Sequence, residues 1–470
     1  MVFSSPLFLF IFLPAVLGVY YLAPGRAKNY VLIAFSLAFY FWGEPSFVFV
    51  VLGSTLFDWL VVRAMHATTG HGRRKFLVFL GVLANVGILV YFKYMNFFAD
   101  AVSALLVDLG LNPFVLAKIA LPIGVSFVVF EKITYLVDVY RDVGKPARNF
   151  ADYLLYVFFF PKLLAGPIIK YHDIADQLKR REHNLPNIQA GLSRFAVGLA
   201  KKVLIADTLA EVADFSFAAD PATLGPFFAW LGVICFTFQI YFDFSGYSDM
   251  AIGLARMFGF RLLENFNLPY ISSNFTEFWR RWHISLSSWI RDYLYIPLGG
   301  NRVATGRMYF NLWFCFVLSG LWHGANWTFV LWGVYHGVFL VLDKLFWLRQ
   351  GARLPKAVNI GATFFFLVLG WTLFRATDIG HFAGYMRAML GLAADPAAFK
   401  YLTANIWFYL VLAAVLSLAP AWGRLWRLLP RYRAFALRVE FELSCSLALM
   451  LLVMGKLAAL TFNPFIYFRF

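Results

Sequence analysis

Two histidines stand where histidine is costly. His323 lies in the run Leu318-Ser-Gly-Leu-Trp-His-Gly-Ala-Asn-Trp327, inside an apolar stretch that continues to Leu342. An ionisable side chain at membrane depth is expensive, so by default it faces a cavity and carries function. Gly320 and Gly324 flank it at i−3 and i+1 and leave room for a backbone or a long acyl thioester, while Ser319 and Asn326 are placed to orient the ring. The second histidine, His283, follows Phe278-Trp-Arg-Arg-Trp282. Transfer of an acyl group to a hydroxyl needs a base near neutral pH, which imidazole supplies, and donors for the developing oxyanion. A neutral His323 as base, with His283, Asn326 or an arginine as donor, meets both needs. The catalytic candidates are therefore His323 and His283. The substrate-binding candidates are Asn326, Arg280, Arg281 and Ser319. His336, in Trp332-Gly-Val-Tyr-His-Gly337, reads equally well as helix packing.

The elements that must position these residues follow from periodicity. Over 275–295 a helix would place Phe278, Trp282, Leu286, Trp289 and Tyr293 on one stripe, and Glu277, Arg280, His283, Ser287 and Arg291 opposite. Asn274 or Thr276 would cap its start; Pro297 and Gly299-Gly300 would end it. A second amphipathic helix, 187–214, carries Arg194, Lys201 and Lys202 among apolar residues. Both are expected to lie in the membrane interface. Segment 236–250 alternates aromatics with Gln239, Asp243, Ser245, Ser248 and Asp249; two carboxylates in an apolar span need partners, for which Arg280, Arg281 and Arg291 are candidates. An internal ion pair is the simplest account of Glu131, Lys132, Asp138 and Arg141.

The chain of 470 residues is 61% hydrophobic, 20% aromatic and 14% charged, about half the charged share of a soluble domain. Apolar segments recur from Phe3 to Phe468 without a long polar interval, so a single membrane-embedded domain, 1–470, is expected. Hydropathy places spans near 4–23, 29–43, 46–64, 76–97, 114–139, 150–169, 225–258, 308–322, 324–347, 358–375, 403–420 and 440–463. The fold class is then all-α and polytopic, with about ten to twelve transmembrane or re-entrant helices. The formal charge of +16 sits in short clusters such as 73–75, 179–181 and 424–433, as cytoplasmic loops require, rather than on a nucleic-acid-binding face. The first apolar run lacks a preceding basic region and is expected to stay, with its N-terminus outside. Cys235, Cys315 and Cys445 are scattered and suggest neither disulfides nor a metal site. No internal repeat, Gly-x-Ser-x-Gly elbow or phosphate-cradling loop is present.

The opening 1–10, Phe242-Asp-Phe-Ser-Gly-Tyr-Ser-Asp-Met250, Phe278-Trp-Arg-Arg-Trp-His-Ile-Ser-Leu286, Gly320-Leu-Trp-His-Gly324 and the closing 463–470 together resemble the bacterial membrane-bound O-acyltransferases, in the alginate O-acetylation branch. The resemblance covers nearly the whole chain. It implies helices around a central cavity, with the family's invariant histidine on His323 and its second polar position on His283. Pro161, Gly166 and Pro167 match a further family-like stretch. It also implies acetyl-CoA as cytoplasmic donor, no permanently bound cofactor, and a multi-pass location in the cell inner membrane. The acceptor would be an exported exopolysaccharide, reached through a periplasmic acetyltransferase partner protein. Two alternatives stay open: the same fold moving another acyl group such as D-alanyl, and a transporter in which Asp243, Asp249 and His323 relay protons.

Overall fold

A computed structural model describes residues 1–392, 402–418 and 439–459. The basic cluster 424–433 and the closing motif 463–470 lie outside the described residues. Within them the protein is all-α, and six helices are long and apolar enough to cross a membrane: Phe47–His66, His71–Asp108, Pro226–Met257, Trp327–Arg353, Lys356–Arg375 and Phe441–Ala458. Two shorter apolar helices, Phe8–Leu22 and Ala404–Ser417, accompany them. The protein is a multi-pass membrane protein.

Several of the spans expected from hydropathy are shorter in the structure, for local reasons. The span expected at 29–43 is the helix Lys28–Gly43 at full length, whereas the one expected at 114–139 is helical only over Val125–Tyr140. The stretch 150–169 breaks at Phe159, whose ψ of 103° leaves the helical region just before Pro161. The residue two places before a proline is not itself restricted, but the following Phe160–Leu163 turn must start afresh with Pro161 near its N-terminus, where a missing N–H costs nothing.

The chain forms two compact units, Met1–Gly191 with Ala251–Leu263, and Leu192–Met250 with Glu264–Phe470. In the first, Val125–Tyr140 is buried almost all round, its charged residues included. Its charges do not pair with one another. Lys132 bonds Asp58 at 3.1 Å, Glu131 pairs with Lys162, and Asp138 meets His172 at 2.7 Å. Asp58 also accepts from Asn85, so each buried charge has company.

In the second unit, glycines let helices cross closely. A Cβ on Gly198 would sit 2.5 Å from the Gly246 carbonyl oxygen, and one on Gly246 would sit 2.7 Å from that of Gly198. This crossing fixes the partners of the carboxylates in 236–250. Asp249 pairs with Arg194 and Lys201, each at 2.6 Å, and Asp243 pairs with Lys202 at 2.9 Å. Arg280, Arg281 and Arg291 are not those partners, contrary to the expectation from sequence. The same ion pairs draw Lys202 into the interior, and Arg194 and Lys201 reach the buried Asp249 from the same segment. The segment is helical from Leu185 to Ala218, with π-type pitch over Lys201–Ala206.

Candidate active site

The stretch 275–295 is a broken helix and not the continuous one its periodicity predicts. Asn274 caps Phe275–Arg281 by accepting from Glu277 N at 2.7 Å, and Glu277 returns a bond to Ser273 N at 2.9 Å. The helix then stops. Trp282 is extended and His283 takes φ 45°, ψ 54°, a left-handed conformation uncommon for a residue with a Cβ. A new helix runs from Ile284 to Ile290, and a π-type turn carries it to Tyr295. The backbone of 265–267 holds the break: Ile284 N donates to Asn265 O and Asn267 N donates to Arg281 O, both at 2.9 Å. His283 consequently lies on no solvated polar face; it is fully buried.

Asn265 is the group that sets the His283 ring. Its Oδ1 faces Ser285 N at 3.1 Å, Ser285 Oγ at 2.9 Å and His283 Nδ1 at 3.2 Å, while its Nδ2 donates to Ser248 Oγ at 3.2 Å. A backbone N–H only donates, so the amide atom facing Ser285 N is the oxygen. His283 Nδ1 must then carry the proton, and Nε2 carries the lone pair. Nε2 has no hydrogen-bond partner among the described residues. Burial pushes the imidazole pKa down to about 3, so the ring is neutral at physiological pH. The sequence reading cast His283 as an oxyanion donor. In this geometry its only N–H is already engaged, and the nitrogen left over, Nε2, is an acceptor.

His323 ends the helix Thr305–His323 and is 5% exposed. Its ring is enclosed by Trp322, Trp332 and Phe374 at centroid distances of 4.8, 5.0 and 5.3 Å. The Trp322 indole also lies 6.1 Å from the His283 ring, and thus links the two histidines through one aromatic side chain. The neighbouring glycines act at close helix contacts: a Cβ on Gly320 would meet Phe329 O at 2.2 Å, and one on Gly324 would meet the Phe329 ring at 2.1 Å. They permit the helices Thr305–His323 and Trp327–Leu342 to touch, the close backbone approach being one of the two uses expected of them, and this aims His323 into the aromatic cage.

The model of the membrane-bound O-acyltransferase family matches residues 143–377, half of the chain and all of the segments just described. The chain belongs to this family. Curated relatives extend the likeness. The protein is 47% identical to a probable alginate O-acetylase of Azotobacter vinelandii over 81% of this chain and 76% of that one. It is 37% identical to the peptidoglycan O-acetyltransferase of Helicobacter pylori, over 83% and 80% of the two chains. To the teichoic acid D-alanyltransferase of Bacillus subtilis it is 27% identical over 55% and 70%. It is accordingly a membrane-bound enzyme of the O-acyltransferase class, which removes the transporter alternative.

The remaining candidates of this O-acyltransferase divide by what they touch. Ser319 is buried, and its hydroxyl has no hydrogen-bond partner among the described residues. Asn326 orients no histidine: its Oδ1 caps Trp327–Leu342 by accepting from Thr328 N at 3.1 Å, and its Nδ2 donates to Thr377 O at 2.8 Å. Arg281 is engaged by Glu277 at 2.9 Å and by Asn267 O at 3.0 Å, while Arg280 is exposed. His336 accepts from Trp279 Nε1 at 3.3 Å and meets the rings of Phe275, Trp279 and Trp332 in tilted or edge contacts, which is packing. Sequence reasoning missed Asn265 and the role of Ser248. An asparagine in Glu264-Asn-Phe-Asn-Leu-Pro269 looks like turn chemistry. The one signal was its place between two segments already singled out, 236–250 and 275–295.

Proposed function

We propose that this enzyme moves an acetyl group from acetyl-CoA on the cytoplasmic side of the inner membrane, for O-acetylation of an exported, alginate-like polysaccharide, with a periplasmic acetyltransferase completing the transfer. The observation that carries the reading is the 47% identity, over about four fifths of the chain, to a relative whose name specifies alginate O-acetylation. The D-alanyl reading draws on a likeness that is weaker and covers about half the chain.

The chemistry assigned to the site is direct. The acceptor hydroxyl oxygen attacks the thioester carbonyl carbon, and His323 takes the hydroxyl proton as the new C–O bond forms. The tetrahedral intermediate collapses, the C–S bond breaks, and the CoA thiolate leaves and recovers the proton from His323. His283 and the Asn265 network behind it supply a fixed, neutral acceptor that orients the hydroxyl or holds the Trp322 wall. Ser319 contributes a hydroxyl donor. The aromatic cage excludes water, which would hydrolyse the thioester.

The test is transfer of radiolabelled acetyl from acetyl-CoA by protein in liposomes supplied with candidate periplasmic acceptors, beside His323→Ala. Label on an acceptor, lost in the variant while membrane insertion is normal, is the expected result. Transfer by His323→Ala at the wild-type rate would remove His323 from the chemistry. Transfer of D-alanyl but never acetyl would replace the donor.

A further inference from the structure

The first unit contains a cleft of about 830 Å³ that plays no part in the chemistry above. Its volume is within the roughly 300–1,000 Å³ of small-ligand sites. Three separate stretches build it: the turn around Arg26 and Lys28, the helix start around Arg148, and the sequence Lys179, Arg180, Arg181. These six cations share the lining with one carboxylate, Asp152. Lys179 pairs with Asp176 at 3.3 Å. Among the described residues, Arg26, Lys28, Arg148, Arg180 and Arg181 form no ion pair with a carboxylate.

Basic loops alone follow from membrane topology. Here the charge is concave, and one member is fixed in place. The Arg181 guanidinium lies 4.3 Å from the Phe260 ring centroid, donates to Asn29 Oδ1 at 2.7 Å and to Gln177 O at 3.0 Å, and keeps a buried Nε without a partner. Such a held, planar cation is suited to a phosphate oxygen. The surroundings say which phosphate. The cleft opens where the helix Leu13–Leu22 ends and Lys28–Gly43 begins, and the adjoining Val19, Leu22 and Tyr30 are exposed apolar side chains. A ligand with an anionic head and a hydrocarbon tail satisfies both surfaces at once.

We infer that this cleft binds the phosphate headgroup of an anionic phospholipid, with the acyl chains lying along Val19 and Leu22. His183 in the cleft wall supports it: burial, then the charges of Lys28 and Arg181, lower its pKa, and a bound phosphate offsets both charges.

The test is native mass spectrometry of the full chain in detergent, titrated with phosphatidylglycerol or with phosphatidylcholine, for the wild type and for the triple variant Arg26→Gln, Arg148→Gln, Arg180→Gln. All three arginines are exposed, so the fold tolerates the change. Expected are a preference for phosphatidylglycerol of about tenfold or more, corresponding to 1.4 kcal/mol, its loss in the triple variant, and its retention in the matching Arg→Lys triple. An unchanged preference in the Gln triple, or no preference in the wild type, overturns the site. Displacement of phosphatidylglycerol by millimolar ADP overturns the lipid assignment and gives the cleft to a nucleotide phosphate.

Discussion

Replacing Asn265 with alanine removes the nearer of the two side chains that face His283 Nδ1. Three buried donors, Ser285 N–H, Ser285 Oγ–H and His283 Nδ1–H, lose their acceptor; the hydroxyl can rotate to another, whereas the two N–H groups are orphaned. Each orphaned group costs about 1–3 kcal/mol, so Asn265→Ala is expected to lose about 2–6 kcal/mol of stability, from a total of roughly 5–15. The ring is then free to hold its proton on either nitrogen, and acyl transfer falls by about 10²-fold, the cost of misplacing a group that orients the acceptor hydroxyl. The loss is expected in kcat with KM little changed, because Asn265 is buried behind His283. Asn265→Asp separates the roles. A carboxylate keeps both acceptor contacts, gives up the bond to Ser248, and raises the His283 pKa through its charge. Its activity is expected to exceed that of the alanine variant and to move to higher pH. The assays are initial rates of labelled acyl transfer and melting followed by tryptophan fluorescence, on the same preparations. An Asn265→Ala protein that melts earlier yet retains wild-type kcat would refute the reasoning, because His283 would then serve only the fold.

Three further outcomes are expected. Folded His283 stays neutral down to about pH 3 while the unfolded residue takes up a proton near 6.5, so the unfolded state binds more protons between those values. Stability is therefore full above about pH 6.5 and declines as pH falls towards 3, by up to about 5 kcal/mol from this residue; melting curves from pH 4 to 8 should show a shallower acid limb in His283→Gln. Lys202 is shared by Asp207 and Asp243 at 2.8 and 2.9 Å, and Lys202→Met is expected to cost about 3–5 kcal/mol, partly regained on adding Asp243→Asn, as thermal melting will report. Asn326→Ala uncaps its helix for about 1 kcal/mol and lowers acyl transfer only in proportion to the folded protein lost, as specific activity corrected for folded fraction will show.

The sequence by itself determined the class of molecule. Its continuous apolar runs admit only helices in lipid, since every backbone group must bond within its own segment. It also marked His323, because a titratable ring amid Leu, Trp and Phe announces itself one-dimensionally. The cap at Asn274 and the stop at Gly299-Gly300 were legible for the same reason, because capping is local chemistry.

Partner choice was not local, and tertiary structure decided it. Asp249 takes Arg194 and Lys201 from 55 and 48 residues away because Gly198 and Gly246 let two helices touch, which no periodicity encodes. The same holds for His283. Its 3.6-residue register predicted a polar helical face, yet the backbone contacts of 265–267 break that helix and bury the ring. Asn326 carried an obvious polar side chain beside His323, and the fold spent it on a helix end. Residue type and spacing state which groups can do chemistry; only the packing of distant segments fixes which nitrogen holds the proton and which lone pair is left to act.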